Sequence, residues 1–240
     1  MNRMILILAF LIPSLGFGQA SVNIQLSSAF TVYNEIRSPG DSGTFISLSD
    51  TLTPEAAISP RLETGYYFGR HYAGLMGTLL RVRYEGRLDK EVLYEGKTFT
   101  KGSEVLAKYR FDSYRLYYRY TFFENAKMKF EGGAAIKMRD ASVSLESGSG
   151  KAEKSNIGFV PLLTVKYELF LSDMVSLLVQ GDGLAAPQGR AEDFLFGVTL
   201  KSDKTKILAG YRFLEGGGDN DEVYTFAMFN YIVIGMELVF

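Results

Sequence analysis

Cysteine and tryptophan are absent from the 240 residues, and histidine occurs once, at His71. Without cysteine the chain has no disulfide frame, no thiolate metal site and no thiol nucleophile. Neither sign of charge dominates, because 26 Lys and Arg face 27 Asp and Glu. That balance removes the electrostatic case for nucleic acid. Beyond the first twenty residues, no stretch approaches the roughly eighteen apolar residues of a spanning helix. No linker, internal repeat or low-complexity run divides the sequence, which reads as one domain.

What is present is aromatic and glycine-rich, with 18 Phe, 15 Tyr and 25 Gly. Such a composition favours strands and tight turns over helices. The opening "MNRMILILAFLIPSLGFGQA" combines Arg3, an apolar run from Met4 to Phe17, and small Gly18 and Ala20 before a plausible cut. It reads as a Sec signal peptide over residues 1–20, leaving a mature domain at 21–240. No cysteine follows the cut, so lipid attachment there is excluded. An exported, helix-poor chain leaves a periplasmic or secreted β-domain, or an outer-membrane barrel.

Alternation with period two favours the barrel. Val22, Ile24, Leu26, Phe30 and Val32 share one parity, while Asn23, Gln25, Ser27 and Thr31 take the other. Phe194, Phe196, Val198 and Leu200 repeat the pattern, as do Ile232, Ile234, Met236, Leu238 and Phe240. These runs match the roughly ten residues of a tilted membrane-spanning strand. Strands are expected near 21–33, 56–68, 72–85, 104–122, 128–145, 156–170, 174–186, 191–201, 205–214 and 222–240. Short turns at "FGRHY", "FFENAK", "FLSDM" and "KSDKT" alternate with longer segments at 34–55, 86–103, 146–155, 187–190 and 215–221. Short periplasmic turns and longer outer loops are the barrel pattern. The expected fold is an all-β, transmembrane, antiparallel up-and-down β-barrel of about ten strands, with eight or twelve left open. Aromatics beside the short turns, including Tyr66, Tyr67, Phe68, Tyr118, Tyr120 and Phe122, fit an interfacial girdle.

If the apolar parity meets lipid, the other parity lines the lumen. Its charged members are Arg61, Glu63, Arg81, Arg83, Arg115, Arg119, Glu131, Lys137, Arg139, Lys166, Glu168, Asp182, Asp193, Arg212 and Glu237, and Tyr117 shares the same parity. Both signs occur with arginines in excess, which points to an ion-pair network filling a narrow barrel, or to an arginine-lined path for anions. Parity breaks near Tyr114 and near Ala141, each marking a β-bulge or the point where a strand leaves the membrane. Arg139 and Asp140 at the second break are placed to bond to each other or across strands.

The single His71 lies in a short periplasmic turn, so a histidine base at the outer face is excluded and the chain reads as a non-enzyme. "EGGGDNDE" brings Asp219 and Asp221 together in a flexible loop, a weak calcium signature and otherwise an ordinary turn. No cofactor is expected.

Several segments together, "RSPGDSGT", "KMRDASVSL", "SNIGFVPLL", "DGLAAPQGR" and "EGGGDNDEVYTF", resemble a family of uncharacterised bacterial outer-membrane β-barrel proteins of similar length. The resemblance runs over most of the mature chain and implies the fold and the membrane, with no activity attached. Its motifs mark the expected extracellular rim and loops, at Arg37, Asp41, Asp140, Asn156, Gln188, Arg190, Asp219 and Asn220. A C-terminal strand ending on Phe240 also resembles the signal read by the barrel insertion machinery. The expected protein is a monomer in outer-membrane lipid, exported by its signal peptide. Its expected role is structural or binding at the outer surface. The alternatives are a narrow pore for small, anionic solutes and an enzyme acting on envelope lipid.

Overall fold

The computed structural model describes residues 18–187 and 189–240. Its strands are β1 (Gly18–Arg37), β2 (Ile46–Ser47), β3 (Thr53–Pro54), β4 (Ala57–Phe68), β5 (His71–Thr78), β6 (Arg81–Arg87), β7 (Val92–Tyr94) and β8 (Lys97–Phe99). They continue with β9 (Glu104–Glu124), β10 (Met128–Ser147), β11 (Gly150–Phe170), β12 (Val175–Ala186), β13 (Gly189–Ser202), β14 (Thr205–Asp219) and β15 (Tyr224–Val239). A single helical turn, α1 (Leu48–Thr51), lies between β2 and β3, with the Ser47 hydroxyl accepting from the Asp50 backbone N–H.

Neighbours along the chain pair antiparallel from β9 through β15, β15 pairs with β1, and β1 pairs with β4. β5 and β6 form one broken strand along β9, and β9 also pairs with β10, so the sheet closes on itself with ten strands around. Closure satisfies the backbone groups that an edge would leave exposed to lipid. Ser21 opposite Val239 and Val22 opposite Leu238 join the first strand to the last. Although both strands run on, β11 and β12 are joined only from Leu163 opposite Gly183 to Phe170 opposite Ser176.

The strand expectations hold closely, with three corrections. The segment 146–155 is no loop, because β10 and β11 run on to a two-residue turn at Gly148 and Ser149. Likewise β14 continues to Asp219, leaving residues 220–223 as the turn. The parity breaks near Tyr114 and Ala141 carry no bulge; register is unbroken there and shifts instead between Thr31 and Tyr33 and between Phe130 and Glu131.

Those breaks mark the level at which the strands leave the membrane, and they explain why Arg81 and Arg83 do not line the lumen. Along β5 and β6 the inward parity never changes, running Tyr72, Met76, Thr78, Leu80, Val82, Tyr84, all buried. What changes is the solvent outside. Below Leu79 the outward residues meet lipid and are apolar; above it they meet water, so Arg81 and Arg83 point outward and not into the lumen. Correspondingly, the interior turns from polar to apolar. Leu80, Val82, Tyr84, Val105, Ala107 and Tyr109 pack with Ile46, Leu48 and Leu52 from the first loop and with Val92, Tyr94 and Phe99 from the β7–β8 hairpin. The lower barrel is therefore polar inside and apolar outside, and the upper barrel is built like a soluble domain.

Of the expected signal peptide, residues 1–17 lie outside the described residues, while Gly18, Gln19 and Ala20 already form rungs opposite Phe68, Tyr67 and Tyr66.

Candidate functional site

Period-two alternation aims one side chain in two at the barrel axis, and five strands contribute to a single charged cluster there. Asp193 on β13 is the hub. Its carboxylate accepts from Arg61 of β4 at 2.7 Å, from Arg115 of β9 at 2.5 Å, and from Arg212 of β14 at 2.6 and 2.9 Å. Asp182 on β12 takes the other Arg115 nitrogen and the Tyr117 hydroxyl. The side chains of Arg115 and Asp193 are 1% and 4% exposed, so these charges depend on one another for solvation.

A second layer lies toward the periplasm. Arg119 donates to Glu63 at 2.9 Å, approaches Glu131 at 3.4 Å and sits 4.3 Å over the Tyr72 ring. Tyr72 donates to the same Glu63 oxygen at 2.8 Å. Lower still, Lys206 and Ser176 both bond to Glu168. Glu237 is half-buried at that end, opposite Asn23 and Lys206 in the register. Sequence parity thus brought together Arg61, Glu63, Arg115, Arg119, Asp182, Asp193 and Arg212. Tyr117 belongs to the expected inward parity, whereas the aromatic partners Tyr72 and Tyr231, the latter under Arg212 at 4.5 Å, are not among the expected lumen residues because tyrosine fits either face.

The rim residues divide between the two faces. Arg139 points inward and donates to Asn156 at 2.8 Å. Asp140 points outward and binds Arg110 at 2.9 Å, so these neighbours do not bond to each other. Arg190 grips Glu215 through three hydrogen bonds on the outer face, with the Tyr33 hydroxyl donating to the same carboxylate. Arg37 lies 3.9 Å from Asp219 and 5.5 Å from the Tyr224 ring. Asp41 accepts from Ser42, and the Asn220 side chain caps its own turn by accepting from the Glu222 and Val223 backbone. Among the described residues no three potential acidic or histidine ligands gather around Asp219 and Asp221, or anywhere else. Gln188 lies outside the described residues.

Above the charged cluster is a cavity of about 520 Å³. Its wall includes Tyr109, Phe111 and Phe229 together with Val143, Leu214 and Ala227. Four cations reach it, Lys137, Arg139, Lys154 and the Glu215-bound Arg190, and Lys154 is 3.8 Å from Glu222 across the mouth. Lys137 is 2% exposed and lies 4.6 Å over the Phe111 ring, with no carboxylate within 4 Å among the described residues. Half of the mouth is roofed. The β7–β8 hairpin bonds to the first loop through Thr44 and Leu93 and through Glu95 and Ser38, and it reaches across to Val143 through the Tyr94 hydroxyl at 3.1 Å. Burial, with help from Glu95, pushes the Tyr94 phenol well above its usual range.

His71 is at the opposite end of the barrel, bonded to the Tyr118 hydroxyl at 2.7 Å and stacked on Phe68 at 5.3 Å, as part of the aromatic belt.

No family model matches the chain, and no curated protein matches it. Solved structures do. The outer membrane protease OmpT from Escherichia coli is 8% identical, with 95% of this chain and 98% of that one covered and a TM-score of 0.54. Ail of Yersinia pestis is 10% identical over 93% and 99% of the two chains, with a TM-score of 0.40. Neisserial surface protein A is 15% identical over 91% and 97%, with a TM-score of 0.32. At such identities the likeness is one of fold. With its closed ten-strand sheet and its apolar outer belt, the chain is a transmembrane β-barrel of the bacterial outer-membrane kind.

Proposed function

We propose that this protein binds a small ligand at the outer surface of the outer membrane, in the 520 Å³ chamber, and conducts nothing through its lumen. The observation that carries the reading is the stacking of that chamber on a floor of paired charges. Arg61, Arg115, Asp182, Asp193 and Arg212 come from five strands and meet in the middle of the barrel, nearly free of solvent. An ion crossing this layer would have to break buried pairs that solvate one another, with Thr78 and Tyr117 as their further hydrogen-bond partners. A chamber of this size falls within the range of small-molecule sites, about 300–1,000 Å³, and its mostly apolar wall with few cations is the composition such sites have. His71 is at the far end, so the chamber binds without a histidine base.

Two measurements test this reading. Purified protein in planar bilayers is expected to be electrically silent; reproducible single-channel steps would establish the pore instead. N-phenylnaphthylamine, an uncharged dye, is expected to brighten on the folded protein. Ala141→Trp, which fills the chamber, should abolish the signal while the barrel still shifts on gels with heating. Dye binding indifferent to that substitution would place the site elsewhere. Altered envelope lipids on overexpression would favour the enzyme.

A further inference from the structure

Among the described residues, the barrel wall parts between β11 and β12 beside the chamber. β11 continues for thirteen residues beyond its last rung with β12, from Leu162 back to Gly150, and there it is bonded to β10 alone among the described residues. On the other side, Leu184, Ala185 and Ala186 of β12 pair only with β13. Register alone would set Leu184 against Leu162 and Ala185 against Pro161, yet neither pair forms. Pro161 has no N–H to give, which ends a ladder at that point.

Side chains from both faces of β11 line the one cavity: Val160 points inward, while Phe159 and Pro161 point outward. The chamber therefore reaches the stretch of β11 that has no partner in β12. Its outer lip is greasy, with Phe159 71% and Ile157 64% exposed, so the opening lies within the apolar belt. A shallow groove lined by Leu163, Gly183, Leu184 and Ala185 adjoins it on the outer face.

Two cations stand beside the gap. Lys137 is directly across β10–β11 from Val160, and Arg139 is across from Gly158. A Cβ at Gly158 would come within 3.2 Å of the Arg139 guanidinium, so glycine makes room for that group at the lip. Lys137 has neither a hydrogen bond nor an ion pair among the described residues, and the buried Arg139 Nε has no partner either. Buried donors without acceptors are costly, so both are suited to an anion supplied from outside the chain.

We infer that the gap between β11 and β12 is a lateral portal, through which an alkyl chain bearing an anionic headgroup enters the chamber from the outer leaflet. This rests on the chamber being a binding site. The headgroup meets Lys137 and Arg139, and the chain lies along Phe111, Val143 and Leu214. A ligand of this kind partitions into the membrane, which is where the opening faces.

The probe is dansyl-undecanoate, a fluorescent alkyl carboxylate, presented in phosphatidylcholine vesicles containing the reconstituted protein. The carboxylate is expected to bind about tenfold more tightly than its methyl ester, a preference that Lys137→Met or Arg139→Gln removes. Equal binding of acid and ester by the unsubstituted protein would overturn the ligand class. The double variant Pro161→Cys with Ala185→Cys, bridged by a short bismaleimide, is expected to load at least about tenfold more slowly from vesicles than either single variant treated alike. Unchanged loading after bridging would overturn the portal. N-phenylnaphthylamine separates the two levels: retained dye binding with failed portal tests leaves a chamber filled from above. Loss of both, with no effect of Ala141→Trp, overturns the chamber itself.

Discussion

Arg212 holds both oxygens of Asp193, at 2.6 and 2.9 Å, from the strand next to it. That pair is the fixed point around which Arg61 and Arg115 assemble from the opposite wall. Asp193→Ala removes the one carboxylate all three arginines share. A loss of about 3–5 kcal/mol in barrel stability is expected, since buried charges are left unpaired. Urea unfolding in micelles measures it, and a loss under about 1 kcal/mol would show the arginines to be solvated some other way.

The change of solvent at Leu79 separates two arginines that sequence parity treats alike. Arg81 is 67% exposed and pairs with Asp112 at 3.1 Å, whereas the Arg115 side chain is 1% exposed. Arg81→Leu should cost clearly less than Arg115→Leu, which should cost more than about 3 kcal/mol. Equal costs in the same unfolding assay would contradict the inversion.

Gly74 lies opposite Gly65, and together they leave the space taken by the Tyr72 ring. A Cβ at Gly74 would stand 2.6 Å from the Tyr72 hydroxyl oxygen. Gly74→Val should push that ring off Glu63, with a loss of about 1–3 kcal/mol from overpacking and from the severed hydrogen bond. Pairing it with Tyr72→Phe tests the cause: the two losses should fall well short of adding.

The roof over the chamber should loosen in alkali. Tyr94 is held protonated by burial, whereas an exposed phenol ionises near about pH 10. A folded value above the unfolded one means the contribution is whole below about pH 10 and is lost as pH rises beyond it. Cleavage of the β7–β8 hairpin by a protease active in alkali is expected to accelerate only as pH rises beyond about 10. Tyr94→Phe should flatten that rise; an unchanged profile would assign the titration to another group.

Much of the barrel was legible in the residues themselves. Period two is a local property, so Val22 to Val32 or Phe194 to Leu200 declares a strand and its two faces without reference to any partner. Turn residues are equally local, and Gly69, at a φ of 61° between β4 and β5, is where "FGRHY" places the bend. Ten strands, closure of the first on the last, and the buried set from Arg61 to Arg212 follow from those signals. Alternation also says which residues share a face, but not what that face meets. Arg81 and Arg115 have the same character in sequence, and only the height of their strands relative to the bilayer puts one in water and the other in the lumen. Pairing is non-local too. Nothing beside Pro161 signals that β11 parts from β12 above Leu163, because a ladder's end depends on two strands brought together by the rest of the barrel. Residue order determined the strands and their faces; the assembled barrel decided where the solvent changes, and where the wall opens onto Lys137.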